Sequence, residues 1–227
     1  MKLSERLKAI TNFVEDNSNI IDIGCDHALL DIFLYENFNN INIIASDIHV
    51  GAVKQAKKNI EKYDLDGKID LRLGDGLDVI EQGEVDTIII SGMGFYTISE
   101  ILTNPEKIEG IDKIIIQSNT DIVKLRKFVI KLGFKISNEL LVKDKDIIYT
   151  VIKFVRGREK YSYDEIYFGP RILENKDELF YEYYNKKLLK YENLLLQLPK
   201  TQIVSRIHHM NLIRIIKRQV KDNKITE

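Results

Sequence analysis

The chain has 227 residues, a formal net charge of −1 and 44% hydrophobic residues, enough for one full domain and a smaller one built around a buried core. Its single cysteine, Cys25, excludes an internal disulfide and a cysteine-based metal cluster. No apolar run approaches the roughly 18 residues of a membrane span. Residues 1–15 place Leu3, Leu7, Ile10 and Val14 at helical spacing rather than in a signal peptide. A cytoplasmic protein without a metal centre is the expectation. The small net charge hides a contrast. Residues 170–227 carry 12 Lys+Arg against 7 Asp+Glu, so residues 1–169 carry 22 against 28. An acidic body with a basic tail points either to an anionic macromolecular partner or to a solvated, lysine-rich helical face.

In chain order, strands are predicted over 19–24, 42–46, 68–73, 86–90, 113–117, 134–143 and 146–155. Helices are predicted over 28–36, 50–63, 97–102 and 121–132. Ile88-Ile89-Ile90 and Ile114-Ile115-Ile116 are continuous apolar runs of the kind that strands buried on both faces require. Strand–helix alternation argues for a parallel sheet covered on both sides. Only Asp144 and Lys145 separate the last two strands, so these form an antiparallel hairpin. An α/β sheet ending in such a hairpin has the layout of the Rossmann-like class I methyltransferases. Residues 156–169 read as a connector. Phe180, Tyr184, Leu188, Tyr191, Leu195 and Leu198 then recur at helical spacing, Pro199 stops that helix, and Ile203, Ile207, Met210, Ile213 and Val220 mark another. Together they predict an antiparallel helical hairpin of coiled-coil type. The expected division is a domain over 1–157 followed by linker and hairpin over 158–227.

The most informative stretch is Asp22-Ile23-Gly24-Cys25-Asp26-His27-Ala28. Gly24 permits a tight turn between strand and helix and close approach of a ligand to the backbone. A dinucleotide site would need two further glycines, and here Cys25, Asp26 and His27 occupy the turn. An acidic turn suits a cofactor that lacks phosphates and carries a positive centre, which describes S-adenosyl-L-methionine (SAM). Asp47, with Ile48, ends the second strand where an acid can accept from a ribose. Asp75 and Gly76 end the third strand, where the acid can accept from an adenine amino group. Gly92 and Met93 end the fourth strand, beside the expected methyl position. Asp22, Gly24, Cys25, His27, Asp47, Ile48, Asp75, Gly76, Gly92 and Met93 are the expected cofactor residues. Asp26 has two readings: a cap for the following helix, or a carboxylate beside the acceptor base. Gln117 and Asn119 end the fifth strand on the same rim, where amides can read a purine edge.

These pieces together make the chain similar to the bacterial tRNA (adenine-22)-N1-methyltransferase family over essentially its whole length. The resemblance rests on Leu3-Ser4-Glu5-Arg6-Leu7, the turn from Asp22 to Ala28, Ala45-Ser46-Asp47, Gly74-Asp75-Gly76-Leu77, Gly92-Met93-Gly94, Gln117-Ser118-Asn119 and Phe168-Gly169-Pro170. Against the family motifs, Cys25 stands for a threonine, Leu29 for a tyrosine, Asp31 for a proline, Phe95 for a glycine and Ser118 for a proline. The resemblance implies methylation of adenine N1 in tRNA with SAM as donor, Asp26, Gln117 and Asn119 at the reacting base, and RNA as partner. Arg6, Arg156, Arg158 and the basic tail are then the expected phosphate contacts. Two other functions fit the residues: a non-catalytic RNA-binding protein on a methyltransferase fold, or a methyltransferase for another substrate. The oligomeric state is left open.

Overall fold

The protein is described from a computed structural model, and the structure is described for residues 3–221. Seven strands form one sheet: β1 (Asn19–Ile23), β2 (Asn42–Asp47), β3 (Ile69–Leu73), β4 (Thr87–Met93), β5 (Lys113–Ser118), β6 (Phe134–Asp144) and β7 (Ile147–Arg156). Their order is β3-β2-β1-β4-β5-β7-β6, parallel up to β5, with β7 antiparallel to both neighbours. The class I methyltransferase sheet and its closing hairpin are therefore present. Because β1, β4 and β5 are central, their isoleucines alternate between two cores. Ile20, Ile89 and Ile115 pack on the side of α1 (Glu5–Thr11), α2 (Leu29–Asn37) and α3 (Val50–Lys62). Ile21, Ile88, Ile90, Ile114 and Ile116 pack against α4 (Phe95–Ile101), the short α5 (Pro105–Ile108) and α6 (Ile122–Lys131).

The connection from β3 to β4 carries only a 3₁₀ turn (Gly76–Val79) where the pattern allows a helix. Arg72 ties that connection back to β3. Its guanidinium donates to the Val79 carbonyl and to the carboxylates of Asp70 and Glu84. Residues 156–169, expected as a connector, contain α7 (Tyr163–Phe168), opened by a Ser162–Glu165 capping box. The short α8 (Pro170–Glu174) follows. The body extends to Arg171 and a second compact unit begins at Ile172, beyond the 157/158 boundary expected from sequence. The reason is α7, which is fastened to the body by Arg126.

The second unit contains α9 (Glu178–Gln197) and α10 (Ile203–Val220), paired antiparallel. On α9, Phe180 and Tyr184 are buried as expected. On α10 the expected apolar stripe is not the seam: Ile203, Ile207 and Met210 are exposed, whereas Leu212 and Ile216 are buried. The inward side of α10 begins with polar residues. Arg206 donates to the carbonyls of Leu195 and Leu198, and His209 meets the Tyr191 ring. That polar start hides the true seam from a hydrophobicity pattern.

Candidate active site

A cavity of about 550 Å³ opens at the carboxyl ends of β1, β2, β3 and β4. A larger groove of about 730 Å³ lies along the edge at β3, lined by Asn42, Lys57, Gly67 and Arg72 among others. It opens at the amino ends of β1 and β2, away from the strand ends where such sheets bind ligands, and its acids Asp70 and Glu84 are paired with Arg72. Asp22, Gly24, Cys25, Asp26, His27, Asp47, Ile48, Asp75, Gly76, Gly92 and Met93 all line the smaller cavity, together with Arg6.

The backbone explains how they converge. Gly24 has φ +77°, and its N–H and that of Cys25 both donate to the Ser46 carbonyl, tying the first turn to β2. A Cβ on Gly24 would fall 2.3 Å from the Met93 methyl. Asp26 and Ala28 have φ of 49° and 51°, a left-handed pair in non-glycine residues that the packed core around Ala28 must maintain. Ala28 is the N-cap residue of α2, without a side-chain cap, so the helix-cap role for Asp26 is not realised. Its carboxylate lies exposed, 3.3 Å from His27 Nε2. At β4, a bulge between Ser91 and Met93 turns the strand end towards the cavity at Gly92, φ +79°.

Asp47 is the most constrained of the acids. Oδ1 accepts from the His49 backbone N–H at 2.8 Å and lies 3.1 Å from His49 Nδ1, while Oδ2 accepts from the Asp26 N–H at 3.3 Å. Asp22 is buried, and its carboxyl is pushed up to about 7, first by burial and then by the Asp47 charge, with Arg6 acting the other way. Burial and the surrounding acids also raise the Cys25 thiol, which stays protonated and is no nucleophile.

Gln117 needs correction as a group that meets a base. Gln117 is fully buried; its Oε1 accepts from Arg6 Nη1 at 2.6 Å and from the Gly92 N–H at 3.0 Å, and its Nε2 donates to Asn119 Oδ1 at 3.0 Å. It positions the rim and does not face solvent. Asn119 is exposed and donates to the Gly92 carbonyl at 2.6 Å. Arg6 lines the cavity, bonded to Gln117 and 5.8 Å from the Tyr149 ring centre. Arg156 lies 4.2 Å from the Phe134 ring centre and donates to the carbonyls of Ile111 and Ile108, which gives it a structural task. Arg158 is exposed.

Sequence reasoning missed Asp31. It stands in the first turn of α2, fully buried, and neither carboxyl oxygen accepts a hydrogen bond from a described side chain or backbone group outside its own turn. Burial, and next the Asp22 charge, raise its carboxyl well above the usual range. A carboxyl raised in this way holds its proton more tightly in the folded state than in the unfolded one. Its contribution favours the fold at low pH and is lost as pH rises, for Asp22 between the ordinary 3.8 and about 7. The melting temperature of the cofactor-free protein is therefore expected to fall from pH 5 to pH 8. Asp31→Asn, of nearly equal volume and without an ionisable group, should raise it at pH 8 by several degrees and flatten the slope. A variant that melts lower at pH 8 would contradict this account of Asp31.

The model of the tRNA (adenine(22)-N(1))-methyltransferase family matches residues 20–220. The chain belongs to this family. The Bacillus subtilis tRNA (adenine(22)-N(1))-methyltransferase is 30% identical over 207 residues, covering 88% of this chain and 87% of that protein. Among solved structures, M. capricolum TrmK in complex with S-adenosyl-homocysteine is 30% identical with a TM-score of 0.88, covering 97% of this chain and 99% of that one. Streptococcus pneumoniae Sp1610 in complex with SAM is 29% identical with a TM-score of 0.88, covering 96% and 100%. The present family member fits that cofactor on its own geometry. The cavity is walled by acceptor-only carboxylates, which suit hydroxyls, amines and a sulfonium rather than phosphates. Among the described residues no helix is long and apolar enough to cross a membrane, and no His/Cys/Asp/Glu group could hold a metal ion.

Proposed function

We propose that this protein is a cytoplasmic, SAM-dependent enzyme that methylates N1 of adenine 22 in tRNA. The observation that carries the reading is the acidic, glycine-turned cavity at the ends of β1, β2 and β4 in a chain of this family. SAM supplies the methyl group as an electrophilic carbon. Asp47, already fixed by two backbone N–H groups, accepts from the ribose hydroxyls, and Ile48, 55% exposed, covers the adenosine. Asp75, exposed at the head of the 3₁₀ turn, accepts from the amino group.

The acceptor needs no strong base, because adenine N1 carries its own lone pair. Positioning is the main requirement, and orientation supplies up to about 7–11 kcal/mol of a barrier. N1 lies on the pairing edge, so a paired adenine must first be exposed at a cost of a few kcal/mol. Asn119, held by Gln117 and Gly92, meets that edge; Gln117 and Arg6 hold Asn119 and the Gly92 bulge in place. Asp26 faces the charge that develops on the methylated ring. The basic unit from Ile172 onwards adds attraction for the anionic substrate.

The test is transfer of labelled methyl from SAM to tRNA, followed by nucleoside analysis and mapping of the modified position. N1-methyladenosine at position 22 is expected; SAM binding without transfer would favour the non-catalytic alternative. In the same assay under single-turnover conditions, Asp26→Asn should slow methylation about 10-fold with little change in SAM affinity, because a carboxylate acts on charge that appears in the transition state. Equal rates would remove Asp26 from the chemistry.

A further inference from the structure

Arg6 and Arg156 are each engaged by hydrogen bonds within the body, whose residues 1–169 are acidic in total. One face of α6 is different. Lys124, Lys127 and Lys131 lie at i, i+3 and i+7, so they project on one side, and all three are exposed. The opposite side, Leu125 and Val129, is buried in the core. Lys127 and Lys131 have no ion-pair partner among the described residues. Lys124 is shared between Asp121, 3.4 Å away, and Tyr96, whose hydroxyl is 3.4 Å and ring centre 5.2 Å from its ammonium. At 1.5 Å per residue the three lysines span roughly 10 Å.

The stripe starts at the active-site rim. Tyr96 is 66% exposed, two residues past Gly94 and beside Thr97, which lines the cavity. The Phe95 ring lies next to it, tilted by 59° with 5.4 Å between ring centres, and the Phe95 N–H donates to Thr120 Oγ1. Phe95 occupies the position at which the family motif has glycine, so this aromatic step is a feature of the present chain. An exposed ring with a cation beside it, followed by further lysines along one line, has the make-up of a base-stacking platform leading into a phosphate track.

We propose that Tyr96 and the Lys124–Lys127–Lys131 face of α6 form a tRNA-binding surface on the methyltransferase body, with Tyr96 stacking on an unpaired base next to the target adenine and the lysines contacting backbone phosphates. This rests on the reading of tRNA as substrate. The test is binding of unmodified tRNA by the full-length protein at several KCl concentrations, with SAM affinity and wild-type methylation measured alongside. For the Lys127→Ala/Lys131→Ala double variant, the slope of log K against log[salt] should flatten by roughly 1.5, because each phosphate no longer neutralised takes about 0.7–0.9 from it. Tyr96→Ala should weaken tRNA binding about 10-fold, Tyr96→Phe should not, and neither should change SAM affinity. An unchanged salt slope in the double variant, or a wild type that binds no tRNA, overturns the proposal. A wild type that binds tRNA with the expected slope changes and transfers no methyl group overturns the catalytic reading alone.

Discussion

Arg126→Ala is expected to destabilise the protein by about 3–5 kcal/mol, the range for stranding one partner of a buried ion pair. Arg126 and Glu139 have side-chain exposures of 1% and 0%, with Nε and Oε1 2.6 Å apart. The remaining guanidinium donors reach the last carbonyls of α7: Ile166 and Tyr167 at 3.2 Å and Phe168 at 3.4 Å. Removing the arginine leaves a buried carboxylate without its cation and a helix end without its donors. Burial already raises the Glu139 carboxyl, with Arg126 opposing it. At about 2–4 °C per kcal/mol for a protein of this size, the melting temperature should drop by roughly 10 °C or more. A double replacement, Arg126→Met with Glu139→Leu, should recover much of that loss because no charge is left stranded. A loss below about 1 kcal/mol for Arg126→Ala, measured by urea unfolding, would show that α7 is held by other contacts.

Asp47→Ala is expected to weaken SAM binding about 10- to 100-fold. One charge-assisted hydrogen bond contributes on the order of 1.5–3 kcal/mol, and Asp47 is placed to accept from a hydroxyl pair. The same substitution frees the Asp26 and His49 N–H groups, so the first turn also loses one of its ties to the end of β2. Calorimetric titration of a variant with unchanged circular dichroism measures the effect. An unchanged dissociation constant would remove the ribose role and leave Asp47 as a loop anchor.

The sheet is legible in the sequence because its central strands are uninterrupted isoleucine runs and its turns carry glycine and acid at strand ends. Ile88 to Ile90 and Ile114 to Ile116 could hardly be placed elsewhere. The acids that surround the cavity are readable for the same reason: strand ends fix where the next residues must go. Long-range polar pairing is what the sequence conceals. Nothing local in Arg126 or Glu139 says that they meet across 13 positions in a dry core and close over α7. The burial of Gln117 and the inward turn of Arg6 depend on a hydrogen bond spanning 111 positions. The seam of α10 escapes a hydrophobicity pattern because its first inward residues, Arg206 and His209, are polar.

The Arg72 clamp on β3 also bears on how the molecule avoids its own kind. An outermost strand offers unpaired backbone groups to any other extended chain, and aggregation starts where such a strand is flat and apolar. β3 is five residues long, and its middle carries Asp70 and Arg72, locked to each other and to Glu84. A second chain adding there would have to strip water from that ionic cluster. At the other margin, β6 is eleven residues long but kinked by an irregularity between Ile136 and Asn138. Charge guards one margin and a bend the other, so the sheet stops at seven strands.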